Sequence, residues 1–275
     1  MIKLAYSING FVETFLSFFL WPFQSLEPVW GLVFISFLTG VSIVWGYKLV
    51  SNQSEIVKAR DKIRGNLIGI RLYQHDLQTV LRLQLKTLKY TLRYMGYSLL
   101  PMLVLSTPMM FLLIQLNYNF SFRPFLPEEV TLLKATFKNP DLLEEVNLEV
   151  PSSVVIETLP VNIPSLGEIA WRIRLKEAGQ HFLKFHVGNQ IVNKELYVGT
   201  KWQKVSPLKS SIFSDVLFYY GEEPFPHSFQ LSKIEVIYPS LSIQVFGWEL
   251  HWLWVFFVVS LGTAFVCKRP LGVAI

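Results

Sequence analysis

The stretch WGLVFISFLTGVSIVWGYKLV, from Trp30 to Val50, contains no charged residue before Lys48. A helix needs about 20 mainly apolar residues to cross a bilayer, and this stretch is long enough. A buried helix of a soluble protein is the alternative interpretation. The composition favours the membrane, because 51% of the residues are hydrophobic and 16% are charged, whereas a soluble domain carries about 25% charge.

Two further stretches have the same character. YSLLPMLVLSTPMMFLLIQL, starting at Tyr97, has no formal charge, and LHWLWVFFVVSLGTAFVC, starting at Leu250, has titratable groups only near its ends. Aromatic residues, which favour the headgroup level, flank all three stretches. The sequence therefore predicts three transmembrane helices, at residues 29–50, 97–117 and 248–267.

Basic residues are concentrated between the first two predicted helices. Residues 48–93 contain ten Lys or Arg and three acids, whereas 118–249 contains twelve basic and fifteen acidic residues. Lys and Arg are retained on the cytoplasmic side of a membrane. We therefore expect segments 51–96 and 268–275 in the cytoplasm, and the N-terminus and residues 118–247 outside. A bacterial inner membrane is the expected location, although the sequon Asn119-Phe-Ser121 would suit an endoplasmic reticulum.

The N-terminal stretch NGFVETFLSFFLWPFQS, residues 9–25, is apolar but short, and it contains Glu13 and Pro22. We expect segment 1–28 to form an amphipathic helix at the outer membrane surface, with its aromatic residues in the headgroup region. An uncleaved signal sequence is the alternative.

Residues 52–95 have the periodicity of paired helices. One apolar set recurs every seven residues and a second recurs every three or four, as in a coiled coil. We expect two antiparallel helices of about 20 residues, each about 30 Å long. Asp76 could cap the second helix, and the turn could lie at Gly65-Asn66 or at residues 73–75. The two sets are Ile56, Ile63, Ile70 and Leu77, and Val80, Leu81, Leu85, Leu88 and Leu92.

This hairpin is strongly basic, and its positive charges have two possible interpretations. The charges could only solvate the hairpin and set its topology. Alternatively they bind anionic headgroups, a ribosome or a nascent chain. The candidate contact residues are Lys58, Arg60, Lys62, Arg64, Arg71, Arg82, Lys86, Lys89 and Arg93.

The order of these parts resembles a known family. An amphipathic stretch (FLSFFLWPFQSL) precedes the pair Trp30-Gly31, a basic hairpin follows, and the second span contains Pro101 and Pro108. Over about residues 9–120 this resembles the YidC/Oxa/Alb superfamily of membrane-protein insertases. The resemblance implies a hydrophilic groove that receives a polar segment of a client protein during insertion, folding or assembly. Bacterial members carry an arginine in this groove, and the matching position here is Ser42.

No predicted span has an internal Asp, Glu, Lys or Arg, which disfavours an ion-coupled transporter or a membrane enzyme. A groove would then be lined by hydroxyls and an amide. The same side chains could instead pack the helices together. The candidate groove residues are Ser36, Thr39 and Ser42 on the first span, Ser106, Thr107 and Gln115 on the second, and Ser260 and Thr263 on the third.

Residues 118–247 alternate between apolar and polar side chains in short runs that are separated by turn signals such as Ala178-Gly179. Strands at this spacing predict an antiparallel β-sandwich of immunoglobulin-like size outside the membrane. The only cysteine, Cys267, excludes an internal disulfide. The predicted strands are Val130–Phe137, Val146–Val150, Ile169–Leu175, His181–Val187, Ile191–Val198 and Ile234–Tyr238.

Catalytic motifs are missing from the sequence. There is no HExxH, GxSxG, CxxC or phosphate-binding glycine loop, and the S-x-x-K spacing of Ser206 and Lys209 lacks its partner motifs. His181 and His186 fall on opposite faces of a strand and cannot share a metal. We expect no enzyme, metal, cofactor or small-molecule substrate. Expected partners are membrane lipid and client proteins or complex subunits, and the alternative function is a membrane scaffold that links a cytoplasmic partner to an external one.

Overall fold

The computed structural model describes residues 2–24, 26–139, 146–188, 190–219, 221–226, 229–245 and 247–273. It combines helix and sheet, with 51% of the chain helical and 25% in strands. Two helices are long and apolar enough to cross a membrane. The chain divides into two units, Met1–Leu32 with Phe111–Trp254, and Val33–Met110 with Val255–Ile275.

The first two helices are α1 (Ile2–Leu20), followed by a 3-10 turn at Trp21–Phe23, and α2 (Pro28–Val50). Helix α2 begins one residue before the predicted first span, at a proline that suits the first turn of a helix. Gly31 allows a close contact there, because a Cβ at this position would lie 3.1 Å from Cδ2 of Leu20. The Trp-Gly pair thus lies where the start of α2 packs against the end of α1.

Helices α3 (Gln53–Leu72) and α4 (Leu77–Phe120) form a helical hairpin in which α3 has the predicted length and α4 is longer than predicted. The N-cap residue Asn52 accepts a hydrogen bond from the Glu55 amide at 3.3 Å, and Asp76 accepts one from the Thr79 amide at 3.2 Å. The turn lies between Leu72 and Leu77, so the alternative turn at Gly65-Asn66 is wrong. Both of those residues continue α3.

The second hairpin helix and the second predicted span form one continuous element. Helix α4 has 44 residues, which corresponds to a length of about 66 Å. It contains Pro101 and Pro108. A proline has no amide hydrogen, so each leaves the carbonyl four residues earlier without its helical partner, at Tyr97 and Val104.

The β-strands that the structure describes form two larger sheets and one short pair. A six-stranded sheet has the order β3-β5-β1-β9-β8, with β4 also paired to β5, and a three-stranded sheet has the order β2-β6-β7. All of these pairings are antiparallel. The strands are β1 Val130–Phe137, β2 Val146–Glu149, β3 Val154–Ile156, β4 Val161–Ile163, β5 Glu168–Leu175, β6 Gly179–Val187, β7 Gln190–Val198, β8 Leu208–Ser210 and β9 Leu231–Val236.

Apolar side chains from both larger sheets meet in one buried cluster. Trp171 of β5 contacts Phe185 of β6 edge to face, with their ring centroids 5.7 Å apart. Leu133 of β1 and Leu183 of β6 belong to the same cluster and are fully buried. A shared core between two sheets is the arrangement of a β-sandwich.

The predicted strands agree with this domain, but the prediction was incomplete. The strand at 130–137 is found unchanged, whereas the strand predicted at Ile234–Tyr238 begins at Leu231 and ends at Val236. Strands β3, β4 and β8 were missed because three-residue strands are too short to show an alternating pattern. A short helix, α5 (Phe213–Phe218), and a 3-10 turn at Pro164–Leu166 were also missed.

The third predicted span is shorter than expected, and its first four residues are not helical. Strands β10 (Ser242–Val245) and β11 (Trp248–His251) form an antiparallel pair, and helix α6 runs from Trp252 to Cys267. Its 16 residues measure about 24 Å, compared with a hydrocarbon core of about 30 Å. The prediction of a helix from 248 failed because aromatic and apolar residues suit a strand equally well.

Candidate functional site

The described parts of the protein cover the middle of α4 along one narrow line. In the most apolar window of α4, 22% of the residues are buried, compared with 39% in α2. Pro101 is buried, and Leu105 and Met109 are half-buried at a spacing of four. The neighbouring Ser106 and Thr107 are exposed, and the Ser106 hydroxyl donates to the Leu103 carbonyl at 2.8 Å. A helix that the protein itself covers so little presents two hydroxyls to its surroundings.

The predicted groove residues on α2 and α6 are divided between buried and exposed positions. Ser36 and Thr39 are buried, and the Thr39 hydroxyl donates to the Ile35 carbonyl at 2.7 Å. Ser42, the position matched to the insertase arginine, is exposed. Ser260 is buried and donates to the carbonyl of Phe257 at 3.3 Å.

Helices α2 and α6 approach closely at Gly40. A Cβ at this position would lie 2.5 Å from the Ser260 carbonyl oxygen and 2.8 Å from Cβ of Thr263. Thr39, Ser260 and Thr263 therefore lie in or beside a contact between two helices, which is the packing role that small residues have in membranes. Ser42, Ser106 and Thr107 do not take part in this contact.

Gln115 lies in a different environment, against the N-terminal helix. Its amide nitrogen donates to Oδ1 of Asn9 at 3.2 Å, and the Asn9 amide donates to the Leu217 carbonyl at 3.1 Å. One turn further along α4, the Asn119 amide donates to Oε2 of Glu13 at 3.2 Å. Asn9, Gln115 and Asn119 are at most 1% exposed, so this polar cluster is internal. It also buries the side chain of the predicted sequon.

The same polar cluster includes an ion pair and two unpartnered oxygens. Glu13 pairs with Lys204, and Ser17 donates to Oε1 of Glu13 at 2.9 Å. Oε1 of Gln115 and Oδ1 of Asn119 are buried without a hydrogen-bond partner. Sequence reasoning missed this cluster, although the spacing of Asn9, Glu13 and Ser17 by four residues within an apolar stretch was a usable signal for one polar helix face.

Helix α1 has one buried side and one exposed side. Leu16 and Leu20 are buried, whereas Phe11, Phe15 and Phe18 are between 61% and 76% exposed. The buried side packs against the protein through the polar cluster described above. The exposed side presents large aromatic residues, which is the composition of a helix face that inserts at a membrane surface.

The basic hairpin has one internal seam. Ile56 is buried and Ile63 and Ile70 are half-buried, as the seven-residue repeat predicts, but Leu77 at the tip is 72% exposed. A Cβ on Gly69 would lie 2.9 Å from Cδ1 of Leu83, so the two helices are in close contact there. The half-buried side of α4 within the hairpin is Val80, Leu83, Thr87, Tyr90, Thr91 and Tyr94.

Most of the predicted basic contact residues point outward. All nine are exposed except Arg60, which is half-buried. Lys58 and Arg93 both pair with Glu55, at 2.9 and 3.3 Å, and these cations hold the pKa of Glu55 below its usual value, with the Lys58 hydrogen bond as the main cause. Arg93 also donates to the Tyr97 hydroxyl at 3.2 Å. The structure therefore gives two of the nine, Lys58 and Arg93, a structural role within the hairpin.

The second apolar set of the hairpin is not where the pattern predicted it. Leu81, Leu85, Leu88 and Leu92 are 51%, 69%, 57% and 61% exposed. Their interval of four, three and four residues places them on one side of α4, which we call the leucine face. The expectation that these leucines join the two helices is wrong, because the side of α4 that contains Leu83 and Tyr94 faces α3.

Among the residues of the β-domain that the structure describes, one cation is fully buried. The Lys194 side chain has no exposed surface and pairs with Glu222, which is 9% exposed, while its Nζ donates to the Ser206 carbonyl at 2.6 Å. Lys209 lies 3.5 Å from the other Glu222 oxygen. Burial lowers the pKa of Lys194, and the attraction of Glu222 opposes that shift. The S-x-x-K residues thus meet at a buried ion pair in the core of the β-domain.

Within the described residues, no group of three or more His, Cys, Asp or Glu side chains could hold a metal ion. His186 instead pairs with Glu149 at 2.9 Å, and His181 contacts Ser153 at 2.9 Å, on the surface of the β-domain. Comparison of the chain with protein-family models, curated proteins and solved structures finds no match.

Proposed function

We propose that this chain is an integral membrane protein that assists the insertion, folding or assembly of other membrane proteins. In the proposed topology α2, α4 and α6 cross a bacterial inner membrane. The hairpin and the C-terminal tail lie in the cytoplasm, and α1 and the immunoglobulin-like β-domain lie outside. The resemblance over residues 9–120 to YidC-type insertases supports this proposal.

The observation that carries the proposal is the exposure of Ser106 and Thr107 on α4. The Ser106 hydroxyl is already bonded to the Leu103 carbonyl, but an unbonded polar group costs several kcal/mol in hydrocarbon, so exposed hydroxyls such as that of Thr107 give little benefit to a simple anchor. They can instead form hydrogen bonds with a polar segment of a client as it enters the bilayer. Pro108 leaves the Val104 carbonyl without a helical partner one turn away, which adds an acceptor near these hydroxyls.

The proposal can be tested by site-specific crosslinking. A photoreactive residue at Thr107 should trap a stalled membrane-protein nascent chain, whereas one at Met102 should not. Met102 is a matched control, because it is 58% exposed but lies about 140° further round the helix. In a Cys267→Ser background, Thr107→Cys should also react with a water-soluble maleimide, and the buried Thr39→Cys should not. Equal crosslinking from both positions, or none from either, would contradict the proposal.

A membrane scaffold is the second candidate, and the close contact at Gly40 favours it. There, hydroxyls of two spans lie in or beside a packed interface rather than a groove. A scaffold would hold a constant partner on its hairpin or its β-domain and would leave Thr107→Cys unlabelled. Purification from native membranes would then recover that partner in a fixed ratio, without client chains.

A further inference from the structure

The leucine face of the hairpin has no partner within the described residues, and it is large. Leu81, Leu85, Leu88 and Leu92 extend over three turns of α4, and each is more than half exposed. Leu77, 72% exposed, continues the face to the hairpin tip. A row of apolar side chains at intervals of three and four is the seam by which one helix binds another. Continuous apolar surface of this kind marks an interaction site.

A basic row lies along one edge of the leucine face. The helical step of about 100° places Arg82, Lys86, Lys89 and Arg93 roughly a quarter turn from the leucines, all on the same edge. Arg93 is bound to Glu55, and Lys86 and Lys89 form no ion pair with the residues that the structure describes. The opposite edge carries uncharged residues such as Gln84 and Thr91. Helix α4 contains no acidic residue.

We propose that the leucine face binds an amphipathic helix of another protein that carries acidic residues along one edge of its apolar stripe. The leucines supply the buried contact, and Lys86 and Lys89 select the acidic edge. A bound helix would be parallel or antiparallel to α4 over about 24 Å, which corresponds to about 16 residues. This inference goes beyond the function proposed above, since it concerns the hairpin and not the spans.

Two other occupants satisfy the observations less well. A second copy of the chain in the same membrane would pack parallel to the first, so its basic edge would face Gln84 and Thr91 and its cations would gain no counter-charge. The anionic surface of the membrane is unsuitable because α4 is one continuous helix from Leu77 to Phe120. If its second half crosses the bilayer, its first half points away from the membrane surface.

The test uses the full chain in nanodiscs and three designed helical peptides of about 21 residues as probes. All three share leucines at heptad a and d positions, and they carry Glu, Gln or Lys at the positions that would face the basic row. We expect the Glu peptide to bind best and the Lys peptide not to bind. Added salt should lower the affinity of the Glu peptide toward that of the Gln peptide, because exposed charge pairs are screened.

Leu85→Ser/Leu88→Ser should weaken binding of the Glu peptide about a hundredfold, since two buried leucine contacts are lost. Leu67→Ser/Ile68→Ser is the matched control, because these residues of α3 are 53% and 69% exposed and lie off the leucine face. Lys86→Glu/Lys89→Glu should reverse the order of the Glu and Lys peptides. Because all these side chains are exposed, the variants should retain the thermal unfolding midpoint of the original protein.

Any of the following results would overturn the inference. Equal binding of all three peptides would remove the role of the basic row. Unchanged binding after Leu85→Ser/Leu88→Ser would remove the role of the leucine face. A dimer of the chain in nanodiscs that is broken by the same double substitution would identify a second copy as the occupant. Competition of anionic vesicles or RNA with the Glu peptide for the full chain would likewise identify a different occupant.

Discussion

Replacing Lys194 with alanine should destabilise the β-domain by about 3 kcal/mol. The Lys194 side chain is fully buried, and it holds together the Ser206 carbonyl of one segment and the Glu222 carboxylate of another. Its removal leaves Glu222 as a buried charge, and loss of one partner of a buried ion pair costs about 3–5 kcal/mol. We expect the lower end of this range because Lys209 remains 3.5 Å from Glu222 and is itself largely buried.

Thermal unfolding of the full chain in detergent, followed by the tryptophan signal of the β-domain, measures this effect. A change of 1 kcal/mol shifts the midpoint of a domain of this size by about 3–4 °C, so Lys194→Ala should lower it by about 10 °C. Lys184→Ala is the matched control. Lys184 pairs with Glu149 at 3.0 Å, but both side chains are about half exposed, and such surface pairs contribute at most about 1 kcal/mol.

The double variant Lys194→Met/Glu222→Leu separates the effect of charge from that of packing. Replacing both partners by apolar residues removes the unpaired charge, and such exchanges are often neutral. We expect this variant to recover most of the midpoint lost in Lys194→Ala. A midpoint for Lys194→Ala within 2 °C of the Lys184→Ala value would refute the conclusion that this ion pair is buried and structurally required.

Three other outcomes follow from local geometry. The Arg123 hydrogen bond holds the pKa of Glu129 below its usual 4.5. The stabilisation that ionised Glu129 gives the folded state is therefore complete above pH 4.5 and is lost as the pH falls through the lowered pKa. Glu129→Gln should therefore make the thermal unfolding midpoint depend less on pH below pH 4.5. Gly40→Ala should lower the unfolding midpoint of the helical unit, whereas Gly262→Ala, with open space around its Cβ, should leave it unchanged or raise it. Asp76→Ala should lose the N-cap of α4, seen as faster amide exchange at the hairpin tip but not in α2.

The sequence predicted the elements of this fold best where one strong pattern decided them. Charge-free length located α2 to within one residue, and a short β-prone run located β1 without error. The prediction failed where the same residues are compatible with two kinds of secondary structure. Trp248–His251 could begin a helix or form a strand, and only the pairing with Ser242–Val245 decides for the strand.

The candidate site was harder to predict because a polar residue in an apolar stretch has two roles that look alike in sequence. Thr39 and Thr107 are both threonines within predicted spans. Thr39 is buried near the α2–α6 contact, and Thr107 is exposed. The difference arises from Gly40, which brings α6 close to α2, and from the narrow line of contact on α4. Neither cause can be found in the sequence around the threonines themselves.

The hairpin shows the same ambiguity and what it implies for function. Helix α4 has two rows of side chains with coiled-coil spacing, one through Leu83 and Tyr90 and one through Leu85 and Leu88. A coiled-coil pattern identifies both rows but does not say which one faces α3. The contact between Gly69 and Leu83 assigns the first row to the inside of the hairpin. The more hydrophobic row is then left exposed beside uncompensated lysines, although burying it would have stabilised the hairpin more. Such an arrangement is costly for an isolated hairpin and is reasonable for one whose second row is covered by another protein.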